Sequence, residues 1–400
     1  MKIFSAVCNW GAICQRVPKP ARKRFLVLAG IRSFSMPLFY AKYSSAIRFG
    51  LASLLAASVI TLGPSGCSGG ANTNAVPYTA SVNPLAVYQL QGAVSLIHDP
   101  TIIRQGSEYY VLSTDGGQTG NLPIFCSADK INWARCGQVF NTPPPEVLAV
   151  LPNLTELWAP DVSYFNGLYH VYYAASGFGA NKSLIGLATS PTMNPSDPNY
   201  KWTDQGIVLA STTSSSFNAI DPNIFIDTDS SGNLTHVWLT YGSFFNGINQ
   251  QEISPTTGMI LNPSTPAEII ATRPGVTSNP IEGASLVKHD GYYYLFASFN
   301  FCCNSVFTTD NYEIVVGRGT SPNGPFTDQS GVSMMNGGGT VLLASSGEFT
   351  APGGEMVYTD ATNGDLITFH ALANNQNGLD YLFVNSLTWP NDWPLIGPQP

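Results

Sequence analysis

Apolar and polar positions along the chain fall into short blocks, not long amphipathic stretches. Five runs stand out: Tyr109-Tyr-Val-Leu-Ser113, Tyr169-His-Val-Tyr-Tyr173, His236-Val-Trp-Leu-Thr240, Tyr292-Tyr-Tyr-Leu-Phe296 and Leu366-Ile-Thr-Phe-His370. Aromatic and β-branched residues dominate them, and their length is that of strands. Shorter runs such as Ile185–Ser190 and Ile314–Arg318 follow some of them. No long stretch shows the 3.6-residue spacing of an amphipathic helix. The pattern predicts an all-β chain.

A second pattern precedes the first. His98-Asp-Pro-Thr101, Trp158-Ala-Pro-Asp161, Ile220-Asp-Pro-Asn223 and Ile281-Glu-Gly-Ala284 each lie a little before one of these runs, with Ala351-Pro-Gly-Gly354 as a weaker fifth member. Several strands repeated at a fixed spacing are the sequence form of a propeller, so five units predict a five-bladed β-propeller. A pair of β-sandwiches is the competing architecture. It gives no reason for acidic residues to recur at matching points. In a propeller the innermost strands converge on one axis, so such residues face a common cavity.

Composition agrees with a large core: 44% of residues are hydrophobic, 12% aromatic and only 10% charged, which argues against disorder. The 38 glycines and 29 prolines suit many strands joined by turns. Charge is unevenly placed. Nine basic residues fall before residue 50, and no Asp or Glu precedes Asp99. From about residue 70 onward, 8 Lys/Arg stand against 25 Asp/Glu, a balance near −17. A body this acidic repels phosphate backbones, which excludes nucleic acid as a partner and leaves neutral sugars open.

The basic stretch ending at Arg48 precedes the apolar run Phe49–Leu62. That run is shorter than the ~20 residues of a spanning helix and fits the core of an export signal. Small residues and Cys67 follow, resembling a bacterial lipoprotein signal whose cysteine carries lipid and attaches the protein to a membrane. Pro64 departs from that pattern, so an ordinary cleaved signal stays open, as does a start at Met36. The expected organisation is a leader over 1–66, a flexible tether over 67–84 and a propeller over 85–400, in an exported protein. Export implies an oxidising compartment. Beyond the leader and Cys67, four cysteines remain. Cys126 and Cys136 flank a turn and are placed to bridge adjacent strands. Cys302 and Cys303 form either a vicinal disulfide or two buried thiols. Their spacing matches no zinc site.

Asp99, Asp161, Asp221 and Glu282 occupy the repeat positions. Inverting hydrolysis of a glycosidic bond needs one ionised carboxylate to activate water and one protonated carboxyl to assist the leaving oxygen. Another carboxylate nearby raises the acid's pKa. A single Asp-Pro is more often a turn element. Four acids matched across repeats favour chemistry. Trp158-Ala-Pro-Asp161 is the exception and reads as a structural blade element, with Trp158 near the sugar.

These residues resemble family 43 glycoside hydrolases, specifically the endo-acting arabinanases. The matching stretches are His98–Arg104, Trp158–Val162, Ala219–Asn223, Leu239–Ile248, Ile281–Ala284, Ser298–Cys303, Val316–Arg318 and Gly337–Thr340, spanning nearly all of the chain after the leader. The resemblance implies a five-bladed propeller and inverting hydrolysis of α-1,5-linked arabinofuranose in arabinan, a plant cell-wall polysaccharide. It implies Asp99 as general base, Glu282 as general acid, and Asp221 as the residue that orients the acid and raises its pKa. His98, Trp158, Phe178, Asn223, Ser243 and Phe245 are the expected substrate-binding residues. The three aromatics would stack on sugar faces, and His98 would bond substrate or Asp99.

Many bacterial relatives read Gly-Pro-Gly-His in the last blade, where the histidine helps hold a calcium ion in the central channel. Ala351-Pro-Gly-Gly354-Glu355 stands here instead, so no metal ligand is assigned and the calcium ion stays an open question. His370, in the same blade, reads as a hydrogen-bonded core residue. On the same scaffold an exo-acting arabinofuranosidase or β-xylosidase is the nearest alternative. A propeller that binds carbohydrate without cleaving it is the alternative of a different class.

Overall fold

The computed structural model describes residues 83–400 apart from 115 and 117–120. Of the two units into which the chain divides, Met1–Asn74 lies outside the described residues, and Ala75–Pro400 contains all of them. The expected leader, Cys67 and all but the end of the tether therefore lie outside the description.

Strands fill the described chain, and the sole α-helix among the described residues is Pro145–Val150. They form five sheets, each a four-stranded antiparallel meander in chain order. We number these blades I to V by their first strands: His98–Gln105, Trp158–Phe165, Asn223–Thr228, Ile281–His289 and Phe349–Tyr358. Blade I carries an extra short strand, Gln91–Gly92, paired parallel to its outer strand Asn132–Phe140. The first strands contact one another around a closed ring, blade V meeting blade I. The fold is the five-bladed β-propeller that the repeats predict.

Hydrophobic clusters sit at the junctions, which explains the near-continuous apolar runs. Adjacent strand residues point to opposite faces, and each blade has a neighbour on both. Ile103 and Leu112 of blade I pack with Val162 and Val171 of blade II, whereas Ile102 and Val111 turn to Leu366 and Leu382 of blade V. Similar clusters join blades II and III, III and IV, and IV and V. Burying both faces stabilises the ring by roughly 25 cal/mol per Å² of apolar surface removed from water.

A polar clamp repeats beneath the site. Thr101 Oγ1 accepts the Val162 N–H (3.2 Å), Asp161 Oδ2 that of Ile224 (3.0 Å), Asn223 Oδ1 that of Leu286 (2.9 Å) and Ser285 Oγ that of Val357 (3.1 Å). Thr368 Oγ1 completes the circle by donating to Pro100 O (2.8 Å). Closure is reinforced where Leu96 N–H donates to Asp380 O and Leu382 N–H to Val94 O, tying the segment before blade I to blade V.

Both cysteine pairs are disulfides, Cys126–Cys136 between adjacent strands of blade I and Cys302–Cys303 as a vicinal bridge.

Candidate active site

In each blade the first two strands are antiparallel, so the start of the first lies beside the end of the second. His98 pairs with Thr114, Trp158 with Ala174, Glu282 with Ser298 and Thr350 with Leu372. These ends gather on one rim. There a cavity of about 880 Å³ is lined by residues of all five blades, including Asp99, Trp158, Asp221, Glu282 and Asp380.

Just inside the rim each of these four pairings skips a residue, a β-bulge. The bulge position carries a left-handed backbone: φ is 48° at Asp99, 39° at Ala159, 60° at Gly283 and 51° at Ala351, and Asp221 shares it at 54°. Bulges re-aim side chains, and these turn the motif residues toward the axis. They also correct the expectation that four acids are in register. Asp99 and Asp221 are equivalent. Glu282 takes the place that His98 has in blade I, and Asp161 takes that of Thr101.

The environments of the acids differ accordingly. Asp99 Oδ2 accepts the Thr114 hydroxyl (2.8 Å), and Oδ1 lies 3.0 Å from His98 Nδ1. Burial opposes ionisation of Asp99, but the charge and hydrogen bond of His98, with His370 and Thr114, outweigh it and pull the carboxyl down to about 2. His98 moves the opposite way. Burial disfavours its charge, yet Asp99, Asp380 and Glu282 hold the imidazolium, up to about 10.

Glu282 receives the Ser243 hydroxyl on Oε2 (2.5 Å) and the Tyr312 hydroxyl on Oε1. Burial pushes it up to about 7; the Ser243 bond opposes this and the Asp99 charge adds to it. Asp221 accepts the Gly283 N–H on Oδ2 (3.2 Å), and burial with the charges of Glu282 and Asp99 holds it well above the carboxylate range. The rise at Glu282 thus comes from burial and Asp99, while Asp221 grips the neighbouring peptide. Between about 2 and about 7 these displacements favour an ionised Asp99 beside a protonated Glu282, the two states that acid–base hydrolysis requires.

The expected substrate-binding residues divide. His98, Trp158, Phe178, Ser243 and Phe245 line the cavity, with Phe178 75% and Phe245 46% exposed. Asn223 does not. It is buried below the acids, its amide donating to Asp161 Oδ1 (3.0 Å) and its oxygen accepting from Leu286, so its place in the motif reflects the clamp. Ser243 is committed to Glu282, which makes it a partner of that carboxyl first. Asp161 is buried and clamped, as its structural reading anticipates.

The sequence assigns no catalytic or binding role to the other residues at the cavity. Thr114, which also accepts the Ala159 N–H (2.8 Å), only ends an apolar run. Tyr312 precedes a strand, and Phe244 and Phe301 lie in loops, their rings 5.7 Å apart. His370 is buried under His98, the rings stacked at 3.6 Å, and its Nδ1 accepts the Asp99 N–H (3.2 Å). Gly354 explains its own identity: at φ 59° a Cβ would meet Asp99 Oδ1 at 2.5 Å and His370 Nδ1 at 2.8 Å.

Calcium takes six to eight oxygen ligands. Among the described residues, the groups whose ligand atoms converge are His98, Cys302 and Cys303, and His98, His370 and Asp380. The first offers disulfide sulfurs and the second a single carboxylate, so neither is calcium's oxygen cage.

A five-bladed propeller that brings two carboxyls of unequal acidity to one cavity has the groups that a glycoside hydrolase needs. The comparisons make that specific: residues 94–394 match the model of glycosyl hydrolases family 43, and the chain belongs to that family. It is 39% identical over 300 residues to an extracellular endo-α-(1→5)-L-arabinanase of Bacillus subtilis, covering 75% of this chain and 87% of that one. It is 33% identical over 313 residues to an extracellular exo-α-(1→5)-L-arabinofuranosidase of Cellvibrio japonicus, covering 75% and 86%. Among solved structures, an endo-arabinanase of Bacillus licheniformis superposes with a TM-score of 0.68 at 37% identity, covering 77% of this chain and all of that one.

Proposed function

We propose that the protein cleaves α-1,5-linked arabinofuranose in arabinan, with Asp99 as base, Glu282 as acid and inversion at the anomeric carbon. The observation that carries this is the opposite displacement of two carboxyls facing one cavity, Asp99 down to about 2 and Glu282 up to about 7. Asp99 takes a proton from water as it attacks the anomeric carbon. Glu282 gives its proton to the departing glycosidic oxygen. Asp221 holds the Glu282–Gly283 peptide, and Trp158, Phe178 and Phe245 offer aromatic faces to sugar. The substrate follows from relatives named for endo and exo action on α-1,5-arabinan.

The leader over 1–66 directs export, in keeping with relatives named extracellular, and Cys67 is the residue that lipid would anchor to a membrane. Incubation with linear α-1,5-arabinan and separation of products tests the activity. A ladder of oligomers supports endo cleavage, and arabinose alone the exo alternative. No products from linear arabinan would overturn the substrate reading.

A further inference from the structure

Cys302 and Cys303 lie in the loop that follows Tyr292–Phe299 in blade IV, and both line the cavity. The loop is pinned on both sides of the bridge. Asn311 Oδ1 accepts the Phe301 N–H (3.1 Å), and Asp310 Oδ1 accepts Asn304 N (3.0 Å) and Nδ2 (2.6 Å). Cys302 and Phe307 pack against buried Tyr312, Ala351 and Leu372. Cys303 has φ 65°, the left-handed region that residues with a Cβ seldom enter. Its Sγ lies 3.2 Å from His98 Nε2, while His98 Nδ1 faces Asp99. With His370 stacked on its face, the His98 ring is held from three sides, and one of them is the disulfide.

We propose that the Cys302–Cys303 disulfide is a positioning element for the base: it holds Cys303 Sγ against His98, and through His98 it fixes Asp99. Reduction then lowers turnover reversibly. The inference rests on Asp99 being the base. In the reduction step dithiothreitol supplies two electrons and two protons, the S–S bond breaks into two thiols, and the reagent leaves as its cyclic disulfide. Cys303, no longer closed into a ring with its neighbour, relaxes from its left-handed backbone and its sulfur withdraws from His98. Reduction chemically alters none of the other titratable groups facing the His98–Asp99 pair, which are His370, Asp380, Asp221, Glu282 and Glu355. A shifted acid limb therefore reports the placement of His98.

The test compares wild-type protein before and after native treatment with dithiothreitol, with alkylation and peptide mapping to score each cysteine pair. On linear arabinan, reduction at 302 and 303 is expected to lower kcat about tenfold, as a small misplacement of a reacting group does. KM changes less, the acid limb moves to higher pH, and reoxidation restores all three. The Cys302→Ser/Cys303→Ser variant should have the lowered kcat and no response to reductant, while Cys126→Ser/Cys136→Ser keeps the response. Full reduction at 302 and 303 with unchanged kcat and pH profile overturns the proposal, as does a response that follows Cys126 and Cys136. An NMR titration of the His98 imidazole, assigned with His98→Gln, reads the contact without substrate and must change on reduction. Failure of the oxidised protein to cut arabinan would instead overturn the substrate reading alone.

Discussion

Asp221 Oδ2 accepts the backbone N–H of Gly283 at 3.2 Å, so a carboxyl of blade III grips the peptide immediately after Glu282 in blade IV. The two side chains come from neighbouring blades and meet because their strands start on one rim. Asp221→Ala removes the grip and leaves Glu282 free to turn from the leaving oxygen. A fall in kcat of about 10²-fold is expected, the scale of a misplaced catalytic group. Steady-state kinetics check it; unchanged kcat would show that Glu282 is held by Ser243 and Tyr312 alone.

Asp99→Asn and Glu282→Gln delete the proposed base and the proposed acid. Each is expected to lower turnover by about 10²–10⁴-fold without changing the circular dichroism spectrum. The acid variant should keep more activity on an arabinofuranoside whose phenolate leaves without protonation, whereas the base variant should lose both substrates equally. Equal loss on the two substrates in Glu282→Gln would mean that Glu282 is not the proton donor.

The pH profile follows from the two displaced carboxyls. With Asp99 as the proposed base and Glu282 as the proposed acid, kcat/KM is expected to hold between about 2 and about 7 and to fall above about 7 as Glu282 loses its proton. The His98 charge lowers both groups. Removing it in His98→Gln therefore moves both limbs to higher pH. A profile of His98→Gln that overlays the wild type would remove His98 from the account.

Asp161 separates a structural acid from the reacting ones. Its carboxyl accepts from Ile224 N and Asn223 Nδ2, and burial pushes it up to about 7 against those bonds. Asp161→Ala strands both donors at a cost of about 1–3 kcal/mol each. Denaturant unfolding should show the loss, while kcat per folded molecule stays within a few-fold of wild type.

Gly354→Ala tests how tightly Asp99 is packed. The added methyl would meet Asp99 Oδ1 at 2.5 Å on a left-handed backbone. Turnover should fall with the acid limb displaced; a wild-type profile would show room beside Asp99 that the packing does not provide.

The fold was legible because both faces of every blade are buried, which writes dense aromatic and β-branched runs such as Tyr169–Tyr173 into the chain. Asp99 and Asp221 were legible because their bulge recurs as Asp-Pro. Glu282 was placed one position out of frame, since the bulge in Ile281-Glu-Gly-Ala284 sits on glycine, not on the acid. Asn223 shared a motif with Asp221 yet serves the clamp between blades, a role that adjacency in sequence cannot separate from substrate binding. Tyr312 and Thr114 reach the site only through tertiary packing, so nothing local marks them.

Proton NMR of arabinan hydrolysis, recorded before the released sugar mutarotates, tests the central pairing most directly. A base and an acid acting on opposite faces of one linkage predict that the new reducing end appears first as the β anomer. An initial α anomer would mean a covalent intermediate, and the roles given to Asp99 and Glu282 would be wrong.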